Sequence, residues 1–271
     1  MKPIQFSIAL FFVFVGITVC NGQTQKPPHQ AIHKRAHAHN DYEHARPLLD
    51  AVDNGFCSVE ADIYLVDGKL AVAHHWLLIR RQRTLTKLYL DPLRKIVKEN
   101  GGSVHGDNTP LILLIDIKRE GEATYKVLAQ LLSQYPDLFG THANGERKPG
   151  PVRAIISGAR PVNTIRKDTT RLVGIDGRPS DFGSNMSVDL LPLISDHWGS
   201  HFRWRGVGDF PANEKNKLRQ MVQQAHSKGR LIRFWASPDN RACWAEQKKA
   251  GVDLINTNRL EGLNQFLSAD E

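Results

Sequence analysis

Leu111-Ile112-Leu113-Leu114-Ile115-Asp116-Ile117-Lys118 is the stretch from which the fold is read. Its first five residues are apolar without alternation, the pattern of a strand covered on both faces. Such a strand belongs to a layered α/β architecture. Seven more strand-like runs share the chain with it: Lys34–His39, Ser58–Leu65, Val152–Ser157, Arg171–Ile175, Leu191–Ser195, Leu231–Trp235 and Asp253–Asn256. Helical stretches separate them. Leu218, Met221, Val222 and Ala225 fall on one helical face before Gly229, and Leu90, Leu93, Ile96 and Val97 do the same before Asn100-Gly101-Gly102. Asp67-Gly68 lies between Ile63-Tyr64-Leu65 and Leu70-Ala71-Val72, the signature of a two-residue hairpin turn. The Gly140–Gly150 stretch reads as a surface loop. These runs predict a single (β/α)8 TIM-like barrel with a β-hairpin extension of its second strand. No Gly-x-Gly-x-x-Gly follows the first strand, which argues against an open dinucleotide-binding sheet.

The amino terminus stands apart from this pattern. Lys2 precedes the apolar run Ile8–Ile17, and polar residues begin at Asn21, so residues 1–22 are expected to be a secretory signal peptide. A rival is a lipid anchor on Cys20, against which stands the bulky Val19 where a lipoprotein signal carries a small residue. Residues 23–32, with Pro27 and Pro28, read as a flexible tether, and the barrel is assigned to residues 33–271. The expected destination is outside the cytoplasm, periplasmic or secreted. Beyond the leader only Cys57 and Cys243 remain, read as free buried thiols. The net charge of +8 favours acidic partners, phosphate esters and anionic lipid surfaces among them. The basic residues form no single run and no nucleic-acid-binding motif is present, so nucleic acid is not an expected partner. The sequence does not speak to oligomeric state.

The candidate chemistry lies at strand ends. In a barrel, the carboxyl ends of the strands converge on one mouth. His39 ends the first strand. Glu60 and Asp62, two apart in the second, share a face because strand side chains alternate. His74 ends the hairpin return, and Asp116 and Lys118 repeat the two-apart spacing on the third strand. Any one of these carboxylates alone reads equally well as a cap or an ion-pair partner. Together they are costly to bury without a cation, and an all-oxygen set suits Mg²⁺ or Ca²⁺ better than zinc. The histidines would then serve proton transfer, and Lys118 would meet a phosphoryl oxygen. Trp198, His201, Arg203 and Trp204 read either as a rim that meets substrate or lipid or, by a slight preference, as a loop packing on itself, and His142, His197 and His226 have no evident role.

The ordered set Ala38-His39-Asn40-Asp41-Tyr42, Val59-Glu60-Ala61-Asp62-Ile63, Asp67-Gly68, Val72-Ala73-His74 and Ile115-Asp116-Ile117-Lys118 resembles the phospholipase C-like phosphodiesterases. Glycerophosphodiester phosphodiesterases and sphingomyelinase D enzymes belong to that superfamily. The nearer similarity is to a branch of exported proteins resembling the altered-inheritance-of-mitochondria protein. The resemblance implies a barrel, a metal on Glu60, Asp62 and Asp116, and His39 and His74 as an acid–base pair. It further implies that Lys118 and Trp235 face the substrate, a small phosphodiester or lipid head group. Asn40 stands where the glycerophosphodiester enzymes carry arginine, His75 where they carry aspartate, and Asp116 where they carry glutamate. Asn40 is therefore read as a further substrate-binding residue, and the departures leave head-group preference open. Two other readings compete: a secreted binding protein on a degenerate barrel, and a barrel isomerase or aldolase acting on sugar phosphates.

Overall fold

The computed structural model describes residues 31–143 and 146–269. The expected signal peptide, Cys20 and most of the tether lie outside the described residues. Barrel strands β1 (His33–Ala38), β2 (Phe56–Val66), β4 (Leu111–Ile117), β7 (Val152–Gly158), β8 (Val173–Gly177), β9 (Leu193–His197), β10 (Leu231–Trp235) and β11 (Ile255–Thr257) run in parallel. Their order in the sheet is β10-β9-β8-β7-β4-β2-β1-β11. The ring is completed between β10 and β11, where Arg233 pairs with Leu254. There the amides of Asp253 and Leu254 both reach the Ile232 carbonyl at 3.2 Å, and the Asp253 carboxylate accepts from the Ile232 amide at 2.9 Å. The result is a nearly closed TIM-like barrel.

The eight predicted strands are all present, Leu231–Trp235 with the expected bounds and the others within two residues of theirs at each end. The hairpin is also present: β3 (Lys69–Val72) folds back antiparallel on β2, with Val66 opposite Lys69. Gly68 lies at φ +74°, a backbone conformation that glycine adopts freely. One expectation is corrected. The Gly140–Gly150 stretch is a small antiparallel hairpin, β5 (Gly140–Ala143) with β6 (Glu146–Pro149), set apart from the barrel sheet. Helices α1 (Leu49–Asp53), α2 (Asp91–Glu99), α3 (Gly121–Leu132), α4 (Pro136–Phe139), α5 (Val162–Lys167), α6 (Ala212–His226), α7 (Arg241–Ala250) and α8 (Leu260–Ser268) lie between the strands and after the last.

Alternation along the strands sorts two cores. Leu111, Leu113, Ile115 and Ile117 of β4, with Val59, Ala61 and Ile63 of β2, belong to the large outer core shared with the helices. Ile112 and Leu114 turn the other way and cluster with Ile155, Leu193 and Leu254 as the apolar floor inside the ring. Going up the same inward rows, the side chains become polar: Ser58, Glu60 and Asp62 on β2, Asp116 on β4, Ser157 on β7, Asp176 on β8. A floor that excludes water beneath a polar layer strengthens every electrostatic interaction in that layer.

Candidate active site

Among the described residues, Glu60, Asp62 and Asp116 come together, with one oxygen from each lying within 4.8 Å of the others. Strand pairing does this directly, because Asp62 and Asp116 are register partners on β2 and β4. Gly158, beside Asp116 on β7, is held at φ +70°, and a Cβ there would lie 2.0 Å from Asp116 Oδ1. Only a glycine leaves room for that carboxylate.

Lys118 stands over the pair, its Nζ 2.7 Å from Asp62 and 3.2 Å from Asp116. Burial draws its pKa down, but the charges of Asp116 and Asp62 prevail and hold it above the ordinary lysine value. Asp62 is buried, and that burial together with the charge on Glu60 raises its pKa to about 6. Its Oδ1 is buried with no hydrogen-bond partner. An oxygen so placed, beside two further carboxylates, is what a hard cation would satisfy, so the residues present fit a divalent ion.

The two predicted histidines flank this group. His39 Nδ1 lies 2.8 Å from Asn258 Oδ1, which directs Nε2 inward, 4.0 Å from Glu60. His74 Nδ1 lies 3.1 Å from Asp62 Oδ2, so a proton on Nδ1 is donated to that carboxylate and Nε2 is left unengaged. Tyr42 Oη joins the same cluster at 2.6 Å from Asp62 Oδ2, 2.9 Å from Asn40 Oδ1 and 3.2 Å from His74 Nδ1. Asn40 sits at φ 48°, a left-handed conformation that asparagine tolerates and arginine does not favour, with its amide oxygen turned to Tyr42. Trp235 closes the seventh barrel strand at the mouth, 37% exposed and edge-on to His197 at 4.5 Å between ring centroids. His39, Asn40, His74, Asp116, Lys118 and Trp235 lie at the ends of strands or just beyond them, while Glu60 and Asp62 lie within β2, Glu60 opposite Leu114 and Asp62 opposite Asp116.

Sequence reasoning missed the layer beneath. His37, buried, has Nδ1 2.6 Å from Ser58 Oγ and Nε2 3.0 Å from Arg233 Nη1. Arg233 Nη2 lies 3.6 Å from Glu60 Oε1. Burial would raise the pKa of Glu60, but its neighbours, the charge of Arg233 foremost, outweigh it and hold the carboxylate well below its usual range. Burial and Arg233 lower the pKa of His37 to about 4, which keeps the ring neutral. Further round the mouth Asp176 accepts from Ser157 Oγ at 2.8 Å and from Arg178 Nη1 at 3.0 Å. Near them is Arg160, whose pKa is lowered by burial and by the charge of Arg178. The signal that would have found His37, Ser58 and Arg233 was on the page: each lies two residues before a predicted site residue in the same strand.

Trp198 and Trp204 are buried in a second apolar cluster with Phe202 and Phe234, and Trp198 Nε1 donates to the Trp204 carbonyl at 3.0 Å. His226 pairs with Asp253 at 2.8 Å, and the side chain of His142 lies outside the described ones. Cys57 and Cys243 are both free and buried, and burial pushes each thiol up to about 12.

The profile of one protein family, described as an AIM6-like phosphodiesterase domain, matches residues 28–176, more than half the chain. The altered inheritance of mitochondria protein 6 homolog of Arthroderma benhamiae is 27% identical over 257 residues, covering 82% of this chain and 80% of that protein. The altered inheritance of mitochondria protein 6 of Eremothecium gossypii is 27% identical over 269 residues, covering 86% and 69%. Among solved structures, a glycerophosphodiester phosphodiesterase from Parabacteroides distasonis superposes with a TM-score of 0.53 at 16% identity. That match spans 89% of this chain and 100% of the other and supports the barrel fold.

Proposed function

This chain belongs to the family of AIM6-like phosphodiesterase domains, and on that premise we propose that it is a metal-dependent phosphoric diester hydrolase acting on a glycerophosphodiester or a phospholipid head group. One observation carries the proposal. Three carboxylates meet around an unpartnered buried oxygen of Asp62, between two histidines whose Nδ1 atoms are already engaged.

Glu60, Asp62 and Asp116 would hold Mg²⁺ or Ca²⁺. The chemistry the ion would supply there is withdrawal of charge from a non-bridging phosphoryl oxygen. The protein's own residues do the rest. Asn258 and Asp62 orient the rings of His39 and His74, so that each presents Nε2 to the mouth. One Nε2 takes the proton from the attacking hydroxyl, and the other delivers a proton to the leaving oxygen. The attacking hydroxyl belongs to water, or to the substrate itself where a neighbouring hydroxyl can form a cyclic phosphate. Lys118 supplies positive charge to the phosphoryl group, Asn40 bonds the head group, and Trp235 offers an aromatic face to what the phosphate carries. Export beyond the cytoplasm remains our reading of the leader.

The test is a panel of phosphodiesters offered to the purified protein with Mg²⁺, with Ca²⁺ and with chelator. Release of alcohol that needs one of the ions, and stops when it is removed, is the expected result. Hydrolysis indifferent to chelator, or none on any member of the panel, would reject the proposal.

A further inference from the structure

Large apolar side chains are rarely left contiguous on a protein surface without a partner. Trp76, Leu77 and Leu78 form a single helical turn and are 49%, 67% and 64% exposed. The turn is built, not frayed: the His75 ring accepts from the Leu77 amide at 3.3 Å. It begins two residues after His74, and so at the mouth of the candidate site. Val207, 82% exposed, lies in the loop that follows β9, and Trp235 ends β10, so both also leave the carboxyl ends of strands.

Charge accompanies the apolar turn. Arg80 and Arg81 follow after Ile79 and are exposed, with Arg81 meeting Asp67 at 3.0 Å on the surface. The chain as a whole carries +8. Tryptophan and leucine beside arginine suit a bilayer boundary: the apolar groups enter the acyl edge while the guanidinium heads stay at the level of the lipid phosphates.

We propose that the Trp76–Leu78 turn, with Arg80 and Arg81, seats the mouth of the barrel on an anionic lipid surface. The docking itself does not depend on catalysis. Its corollary, that the phosphodiester is a head group presented at that surface, rests on the function proposed above.

The experiment is co-sedimentation of the purified protein with vesicles of phosphatidylcholine, alone or mixed with phosphatidylserine. Binding should be at least about tenfold stronger on the mixed vesicles. Trp76→Ser/Leu77→Ser/Leu78→Ser should lower it by about tenfold or more. Arg80→Gln/Arg81→Gln should lower it by about fivefold per arginine at low ionic strength. Thermal melts of both variants confirm the fold. Absence of binding, equal binding to both vesicles, or unaltered binding by the triple variant would overturn the proposal. A lipid-free dimer abolished by the triple variant would overturn it too, assigning the turn to a second copy. Sedimentation scores docking and phosphodiester hydrolysis scores the catalytic reading, so the two can fail separately.

Discussion

Arg233 Nη1 lies 3.0 Å from His37 Nε2 in the enclosed interior of the barrel. A guanidinium can only donate, so Nε2 must accept, and the ring carries its proton on Nδ1, which donates to Ser58. The same guanidinium faces Glu60. A buried carboxylate deprived of its partner is costly, by about 3–5 kcal/mol. Arg233→Met should therefore destabilise the ion-free protein by roughly that amount. Saturating Mg²⁺ or Ca²⁺ should restore more stability to the variant than it adds to the parent. Chemical denaturation with and without the ion measures both, and an equal gain in the two proteins would contradict the pairing of Glu60 with a cation.

His39→Ala and His74→Ala should each lower turnover of a chromogenic phosphodiester by about a hundredfold or more. Ion binding, followed by thermal shift, should persist in both. Were each variant to keep full turnover, the acid–base assignment would be wrong.

Gly158→Ala places a methyl group where Asp116 Oδ1 now lies, on backbone held at positive φ. Displacing a metal-site carboxylate through its support costs about ten- to hundredfold in ion affinity. That loss should appear by titration calorimetry. A neighbouring change without a clash is the control: Ala159, which is exposed, tolerates Ser with affinity intact.

Asp41 lies outside the acidic trio and offers a test by pH. Its Oδ2 accepts from the Leu48 amide at 2.6 Å and the Tyr89 hydroxyl at 2.9 Å, while Oδ1 is buried without a partner. Burial raises its pKa from 3.8 to about 7 against those two hydrogen bonds. A raised folded-state pKa means the folded chain holds the proton after the unfolded chain has lost it. This contribution to stability is complete below the unfolded value and declines as pH rises through about 7. His37 acts oppositely, its lowered pKa removing stability as pH falls from 6.5 towards about 4. Asp41→Asn should abolish the first trend alone, so the variant gains on the parent between acid and neutral pH. Denaturation midpoints at the two ends would expose a parallel shift instead, and with it an error in this account.

The barrel was legible because its strands are covered on both faces. Leu111–Ile115 could not alternate, whereas the run from Ser58 does, because its inward row carries the polar side chains of the site. The β5–β6 hairpin was not legible, since a ribbon of four residues a side, rich in polar residues, carries too short a run to impose a pattern on the sequence. The rim residues were readable because carboxylates and histidines at strand ends are conspicuous. His37 and Arg233 share the phase of His39 and Trp235 on their strands, which the sequence does display, but a lone basic side chain within a strand carries no mark of its depth. Depth comes from register with other strands, as when Arg233 is brought beside Leu254, and a linear sequence does not display it.

Closure of the ring between β10 and β11 has a consequence for how the protein comes into being. The strand that shuts the cylinder is also the one that delivers Arg233 to Glu60. A folding chain with β10 still unmoored would hold its acidic trio without the guanidinium that steadies it. Assembly of the cylinder and completion of its reactive centre are one event, so a half-built molecule has no finished centre to expose.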